Sequence, residues 1–347
     1  LDRLLPEVDL FLPVTEMGEL PERIGSGPDR DRDSACLRPD RRRLFTPPHL
    51  AYIKVAEGCS NRCSYCTIPS IRGDLRSREA GEIVDEAETF VRSGVKEIVL
   101  IAQDTAAWGT ERDATSGSTG KGSRIYDIAE SIGGLGPVWV RLMYLHPAHI
   151  DIDRTIRLIE RGSIVPYLDI PIQHASDPVL DRMGRRYGRR ELRELFSALR
   201  GAYPDLVLRT TVMAGFPGET EDDIRILTDL LEEIRFDHVG VFEFSPERGT
   251  FASSMDKQVP RELAVERRDM LIELQMDISQ SRLEERAGGG EKILVDELLE
   301  ADESPGTGIW GIGRYFGQAF EIDGVTFLRG TEVAPGDFCR ARIIEAG

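Results

Sequence analysis

The chain has 347 residues, 40% apolar and 30% charged, which is ordinary for a globular protein with room for one large and one small domain. Its formal net charge of −17 argues against general affinity for phosphate backbones, because nucleic-acid binders carry basic surfaces. No run of 18 apolar residues occurs, so no membrane span is predicted. The five cysteines, an odd number, favour a reducing compartment, and we expect the protein to be cytoplasmic.

The first 48 residues show little apolar periodicity. Residues 1–11 have the pattern of a helix end that runs into a strand. Such a strand has no earlier sheet to join, so we expect the chain to be a fragment of a longer protein. Residues 18–48 are rich in Gly, Pro, Asp and Arg, which predicts a linker or an irregular connection.

Short apolar runs alternate with amphipathic stretches over the next two hundred or so residues. The predicted strands are Ala51–Val55, Glu97–Ala102, Val138–Leu142, Tyr167–Ile170, Leu206–Met213 and Val239–Phe244. The predicted helices lie near residues 78–93, 124–132, 152–160, 176–200 and 220–235. This alternation indicates parallel βαβ units with the active site at the carboxyl ends of the strands. Six units are too few for a complete eight-fold barrel, so the predicted fold class is α/β, with an open partial (β/α)6 barrel.

The C-terminal part changes from a helical to a strand pattern. Pro260–Arg286 has the periodicity of a helix, and the glycines of Ala287–Gly290 end it. Residues 291–347 then contain short β-like runs and turns. The runs are Ile293–Val295, Val325–Leu328 and Phe338–Ile344, and the turns are Asp323-Gly324 and Pro335-Gly336. We therefore predict a small all-β barrel or sandwich after the helix.

Three cysteines, Cys59, Cys63 and Cys66, stand directly after the first predicted strand. Three thiolates on one loop can hold three corners of a cubic iron–sulfur cluster and leave the fourth iron open to a substrate or cofactor. Zinc is the main alternative, but structural zinc takes four ligands, usually as two separated pairs. No second pair exists in the sequence, because Cys36 and Cys339 stand alone. The pattern favours one 4Fe–4S cluster.

A second motif follows the fifth predicted strand, where Gly215 and Gly218 precede Thr220. Glycines after a strand permit a ligand to approach the backbone, and Thr220 can cap the helix that follows. An ordinary βα turn would use the same residues, so this motif alone is weak evidence for a ligand.

Three other patterns point to no separate site. Gly117–Ser123 lacks the glycine spacing of a phosphate loop and is interpreted as a flexible insertion. His146 and His149 have no supporting carboxylate in the sequence, which favours a structural role over a metal site. The basic segment Arg182–Arg190 is interpreted as a solvated helix face, although its place at the strand ends leaves a substrate contact open.

The cysteine spacing, with Tyr65 before the last cysteine, resembles the signature of the radical S-adenosylmethionine (SAM) enzymes. Together with five further motifs, it resembles the methylthiotransferase family over essentially the whole chain. These motifs are Gln103–Thr105, Pro171–His174, Met183–Tyr187, Gly215–Thr220 and Phe244–Thr250. The resemblance implies an N-terminal domain remnant and linker over 1–48, a radical SAM core over 49–286 and a TRAM domain over 287–347. It also implies that the family's N-terminal domain, with a second cluster, is missing here, since Cys36 matches no ligand.

In this family the open iron chelates SAM, and an electron from the cluster cleaves SAM to a 5′-deoxyadenosyl radical. The resemblance therefore implies that Cys59, Cys63 and Cys66 are both the catalytic residues and the cluster ligands. It implies an electron donor such as flavodoxin. It also assigns a set of SAM-binding residues, with Tyr65 near the adenine. That set is Tyr65, Gln173, Arg209, Gly215, Phe216, Gly218 and Glu219.

Two substrates compete within the family. The MiaB branch modifies an adenosine in transfer RNA, and the RimO branch adds a methylthio group to the β-carbon of an aspartate in a basic small-subunit ribosomal protein. Residues 291–347 contain five Lys or Arg against eleven Asp or Glu, a balance of −6, which suits a basic protein better than RNA. The sequence Gly313–Gly324 also resembles the RimO branch. A non-catalytic iron–sulfur or zinc module that binds a ribosomal partner remains the alternative from a different functional class.

Overall fold

The protein is described by a computed structural model that covers residues 44–112, 124–299, 309–330 and 333–346. Most of the predicted linker, Cys36 and the segment Gly117–Ser123 lie outside these ranges. In the described ranges, no helix is both long and apolar enough to cross a membrane.

The described elements alternate strands and helices as predicted and then end in strands. In chain order, the strands are β1 (Leu50–Lys54), β2 (Ala56–Glu57), β3 (Arg76–Ser77), β4 (Glu97–Ile101), β5 (Trp139–Leu142), β6 (Tyr167–Asp169), β7 (Val207–Ala214), β8 (His238–Glu243), β9 (Gly290–Leu298), β10 (Ile309–Tyr315), β11 (Thr326–Arg329) and β12 (Phe338–Arg342). The α-helices are α1 (Ile68–Arg72), α2 (Ala80–Arg92), α3 (Ile125–Gly133), α4 (Ile152–Glu160), α5 (Asp177–Arg182), α6 (Arg189–Ala202), α7 (Glu221–Ile234) and α8 (Arg261–Glu284).

The six long strands of the first part form one parallel sheet in the order β1-β4-β5-β6-β7-β8. Each strand follows its neighbour in chain order, and helices connect consecutive strands over one face. Among the described strands, β1 and β8 are the two edges and do not pair with each other, so the sheet stays open. The predicted α/β class and open six-unit sheet are confirmed, and each predicted strand is within about one residue of its observed bounds at either end.

Local sequence chemistry explains where the helices begin. The side chain of Asp151 accepts a hydrogen bond from the backbone N–H of Arg154 and caps α4. Thr220 caps α7 in the same way through the N–H of Asp223, as the sequence predicted. Leucines and isoleucines on the inner faces of these helices pack onto the sheet in one continuous core.

The single helix predicted over residues 176–200 is two helices, so that prediction was wrong in this detail. Between α5 and α6 the chain turns at Gly184, whose φ is +76°, a backbone conformation that favours glycine. A Cβ atom at this position would lie 3.0 Å from the carbonyl oxygen of Arg62, in the cysteine loop. The turn thus packs directly against the loop, which a local sequence pattern does not reveal.

The C-terminal strands form an antiparallel sheet in the order β11-β10-β9-β12, which confirms the predicted small all-β part. This sheet packs against the face of the parallel sheet that the helices leave uncovered. Val99, Trp139 and Tyr167 of the parallel sheet join Leu294 and Tyr315 of the antiparallel sheet in one buried cluster. Strand β10 was not predicted as a strand, because its glycines interrupt the apolar alternation.

Candidate active site

The cysteine loop leaves the carboxyl end of β1 and is closed at its base by the short antiparallel pair β2–β3. Gly58 stands just before Cys59 with φ +69°, and a Cβ there would lie 2.2 Å from the carbonyl oxygen of Asp74. Only glycine fits this crossing of the two loop ends. The sequence Gly58-Cys59 therefore sets the start of the loop.

Neighbouring segments hold the loop through backbone hydrogen bonds. The N–H of Cys59 donates to the carbonyl oxygen of Gly73 at 3.1 Å, and the N–H of Ser64 donates to that of Met183 at 3.0 Å. The hydroxyl of Ser64 donates to the carbonyl oxygen of Arg182 at 2.8 Å. The loop is thus fixed on one side by the chain before β3 and on the other by the end of α5.

The three thiols of the loop are free, with Cys59 buried and Cys63 and Cys66 half-buried. Burial raises the pKa of the Cys59 and Cys66 thiols above the ordinary value. A buried thiolate needs a positive partner, and iron supplies one, since metal coordination deprotonates a thiol. The donor set and its burial therefore fit a cluster held by Cys59, Cys63 and Cys66.

All three cysteines line one cavity at the carboxyl ends of the parallel strands. Residues after β4, β5 and β6 complete the cavity wall: Gln103, Tyr144, His146, Pro171 and Gln173. Tyr144 and Gln173 have positive φ values of 60° and 68°. Such conformations are uncommon for residues with a Cβ and concentrate at functional sites. The cavity wall is therefore the best candidate for the active site.

Asp104 connects this wall to the cysteine loop. Its carboxylate accepts hydrogen bonds from the side chain of Asn61 at 2.8 Å and from Nδ1 of His149 at 2.7 Å. His146 lies beside them, and the three side chains Asp104, His146 and His149 bring their possible ligand atoms within 4.8 Å of one another. The sequence-based premise that the two histidines lack a carboxylate was wrong. The missing signal was spatial, because β4 and β5 are adjacent strands.

The pKa of His146 is lowered to about 3, mainly by burial and also by the positive charge of Arg185. This histidine is thus neutral at physiological pH. The nearby guanidinium also opposes binding of a cation by the cluster of Asp104, His146 and His149. A hydrogen-bonded support for the loop explains these side chains better than a second metal site.

Tyr65 and Gln173, two of the predicted SAM-binding residues, lie on the cavity wall with the cysteines. The ring of Tyr65 meets the edge of Phe216 with the ring centroids 6.3 Å apart, and Phe216 in turn packs on Phe244 at 5.3 Å. Phe216 is fully buried, so it supports Tyr65 from behind rather than lining the cavity. The aromatic stack fixes where Tyr65 stands.

The other predicted SAM-binding residues are not on this wall in the described structure. Gly215, with φ +78°, is required by packing, because a Cβ there would lie 2.2 Å from the Cβ of Ala264. A Cβ at Gly218 would lie 2.8 Å from Nε of Arg182. Glu219 is buried, where its carboxylate accepts the N–H of Gly215 at 2.9 Å and pairs with Arg267 at 2.8 Å. These contacts build the turn itself.

Arg209 lies in the first half of β7, away from the carboxyl ends that carry the cavity. Its guanidinium donates to Asp169 at 2.9 Å and lies 3.5 Å from Asp323, which follows β10. The structure thus gives Arg209 two acidic partners between the two sheets. Its role in binding SAM stays a prediction.

Comparison with known proteins identifies the family. The sequence model described as the Radical SAM superfamily matches residues 53–231, which is just over half of the chain. The ribosomal protein uS12 methylthiotransferase RimO of Methylococcus capsulatus is 43% identical over 306 residues, covering 87% of this chain and 68% of that protein. The RimO protein of Acinetobacter baumannii is 41% identical over 317 residues, covering 89% and 69%. The chain belongs to the RimO family of radical SAM methylthiotransferases.

Membership in this family brings a 4Fe–4S cluster and SAM as cofactors and makes the chain a radical SAM transferase. Among solved structures, coproporphyrinogen III oxidase of Escherichia coli, a radical SAM enzyme, aligns at 13% identity with a TM-score of 0.49. The alignment covers 71% of this chain and 56% of the oxidase chain. A likeness this distant carries no argument about activity.

Proposed function

We propose that the protein adds a methylthio group to the β-carbon of an aspartate in ribosomal protein uS12. The observation that carries the proposal is the cavity with three free thiols on its wall, in a chain that is 43% identical to a RimO protein. In this proposal Cys59, Cys63 and Cys66 hold the cluster. When bound, the cluster and SAM would supply the carbon radical needed to break an unactivated carbon–hydrogen bond.

The residues of this chain would provide the enclosure that such chemistry requires. A carbon radical abstracts hydrogen from any accessible carbon–hydrogen bond, so the site must hold the substrate close and keep other molecules out. Tyr65, in the cysteine loop, and Gln173, after β6, both line the cavity. The hydrogen bond between Asn61 and Asp104 helps to keep the loop in place. We propose that Tyr65 and Gln173 contact SAM from this wall.

The charge composition of the C-terminal part supports a basic protein as the substrate. Residues 291–347 contain five Lys or Arg against eleven Asp or Glu. This excess of acidic residues suits a basic ribosomal protein, whereas an RNA substrate would favour the opposite charge. We therefore propose that the protein does not bind nucleic acid directly, that it acts in the cytoplasm, and that a flavodoxin-like donor supplies the electron.

The division of the chain into three parts is also proposed, with a remnant and linker over 1–48, the radical SAM core over 49–286 and a TRAM domain over 287–347. The parallel sheet falls between residues 50 and 243, and the antiparallel sheet falls between residues 290 and 342. Both sheets therefore lie inside the proposed boundaries.

The test is the identity of the modified molecule. The full-length protein should be expressed in a bacterium whose own uS12 methylthiotransferase gene is deleted, and uS12 and total transfer RNA should both be analysed by mass spectrometry. We expect one added methylthio group on an aspartate of uS12 and an unchanged transfer RNA. A methylthio group on adenosine with uS12 unmodified would instead favour the transfer-RNA branch. A variant with Cys63→Ala serves as the matched inactive control.

A further inference from the structure

Arg185 has no ion-pair partner among the described residues, unlike three buried arginines of the chain. The guanidinium groups of Arg141, Arg267 and Arg314 each donate to a buried carboxylate, at 2.8, 2.8 and 2.6 Å. Arg185 lines the cavity of the three cysteines, and its buried Nε has no hydrogen-bond partner. Among the described residues, no carboxylate forms an ion pair with it. A half-buried guanidinium whose Nε is buried and unpaired is costly, so this position indicates a partner from outside the chain.

Asp104, a carboxylate close enough to act electrostatically on Arg185, already has at least three hydrogen-bond donors. Asp104 accepts hydrogen bonds from Asn61 and His149 and from the backbone N–H of Ala107 at 3.2 Å. His146, the other polar neighbour on the wall, offers no negative charge. Among the described residues, therefore, no carboxylate is left to form an ion pair with Arg185, which lines the cavity beside the three cysteines.

The backbone around Arg185 is fixed, so the guanidinium has a defined position. The N–H of Arg185 donates to the carbonyl oxygen of Leu180 at 2.9 Å, and Gly184 before it packs on the cysteine loop. The guanidinium lies over the ring of Tyr187 at 5.7 Å from its centroid, and the hydroxyl of Tyr187 donates to the carbonyl oxygen of Ile172 at 3.0 Å. A preorganised guanidinium suits planar recognition of a carboxylate.

We propose that Arg185 binds a carboxylate group that enters the cavity with a reactant. This inference rests on the proposed function, which supplies two such reactants: the target aspartate of uS12 and the methionine end of SAM. An anchor on the aspartate would place its β-carbon in the cavity and reject asparagine in the same sequence. If Arg185 instead binds the carboxylate of SAM, it would affect the affinity for SAM and not the affinity for the peptide.

The test compares Arg185→Met and Arg185→Lys with the parent protein, all carrying the cluster. The matched control is Arg186→Met, which removes the same charge from the exposed neighbouring residue. Dissociation constants are measured for SAM, for a synthetic uS12 peptide that contains the aspartate, and for the same peptide with asparagine. Circular dichroism confirms that each variant is folded. Because Arg185 makes no side-chain hydrogen bond through Nε, we expect the Met variant to fold.

If the aspartate is the ligand, Arg185→Met weakens binding of the aspartate peptide by roughly 10- to 100-fold, the range for a charge-assisted hydrogen bond. The preference over the asparagine peptide is then lost, SAM affinity stays unchanged, and Arg185→Lys recovers part of the loss. If SAM is the ligand, the loss falls on SAM and spares both peptides. Unchanged affinities for all three ligands in Arg185→Met, relative to Arg186→Met, would overturn the inference. If the parent protein binds SAM but neither peptide, the proposed substrate is wrong, and the SAM measurements still test Arg185.

Discussion

The guanidinium of Arg314, in β10, donates a hydrogen bond of 2.6 Å to the carboxylate of Glu97, the first residue of β4. The same carboxylate accepts a hydrogen bond of 2.8 Å from Nε of Arg141, and all three side chains are buried. Burial alone would raise the pKa of Glu97, but the two guanidinium groups lower it below the ordinary value. The two sheets are therefore joined by a charged group that is ionised at every physiological pH.

Glu97→Gln should destabilise the protein by about 3–5 kcal/mol, because it leaves the buried guanidinium of Arg141 without an anion and that of Arg314 with Asp296 alone. The free energy of unfolding is measured by urea denaturation. Glu88→Gln is the control, since Glu88 pairs with Arg92 on the surface of α2, and such exposed pairs contribute at most about 1 kcal/mol. Equal effects of the two changes would contradict the importance of the buried contact.

Each of Cys59→Ala, Cys63→Ala and Cys66→Ala should abolish reductive cleavage of SAM. A cluster that loses one of three thiolates is no longer held with one open iron. Iron and sulfide content after anaerobic reconstitution and the yield of 5′-deoxyadenosine are the measurements. Cys339→Ala is the matched control, because Cys339 is a free, half-buried cysteine in β12, away from the cavity wall. Bound zinc without sulfide in the parent protein would show that the cluster assignment is wrong.

Gly215→Ala should cost roughly 1–3 kcal/mol of stability or more, since the new Cβ overpacks the contact with Ala264 and the residue has φ +78°. Gly249→Ala separates the two causes, because Gly249 has φ +88° but nothing within 4 Å of an added Cβ. The stability of the control should fall only by the cost of the left-handed backbone conformation for alanine, about 1–2 kcal/mol. Thermal unfolding of both variants is the measurement. Adding Ala264→Gly to Gly215→Ala should restore part of the loss, and no recovery would argue against the packing explanation.

His146 should make the protein less stable in acid. Its pKa of about 3 in the folded protein lies below the ordinary histidine value of about 6.5, so the unfolded chain binds the proton first as the pH falls. The histidine contribution is thus fully present above about pH 6.5 and is lost progressively towards about pH 3. His146→Gln should flatten the dependence of the unfolding free energy on pH in this window. If the unfolding free energy depends on pH with the same slope in the variant and the parent, the pKa of His146 is not lowered.

The sequence predicted the fold well where the signal was local. The strands of the parallel sheet were found because apolar runs of four to eight residues alternate with amphipathic helices. The break between α5 and α6 was missed because its cause is a contact between Gly184 and the cysteine loop, more than a hundred residues earlier in the sequence.

The sequence predicted the part of the site that is local in the chain and missed the part that depends on long-range contacts. The three cysteines and Tyr65 are close in sequence, and they line one cavity. Arg185 belongs to the basic segment Arg182–Arg190, which was interpreted as a solvated helix face with a substrate contact left open. Its true environment is set by the ends of neighbouring parallel strands, and strand adjacency is a property of the whole sheet.

The contact between Glu97 and Arg314 also limits how members of this family can be recombined. A chimera that takes its last strands from a transfer-RNA-modifying relative, to redirect the enzyme, would place a foreign side chain against Glu97 and Arg141. Unless that donor brings its own cation to the same position, the graft should fail to fold before its specificity can be assayed. An exchange of the last strands should therefore keep Glu97, Arg141 and a cation at position 314 together.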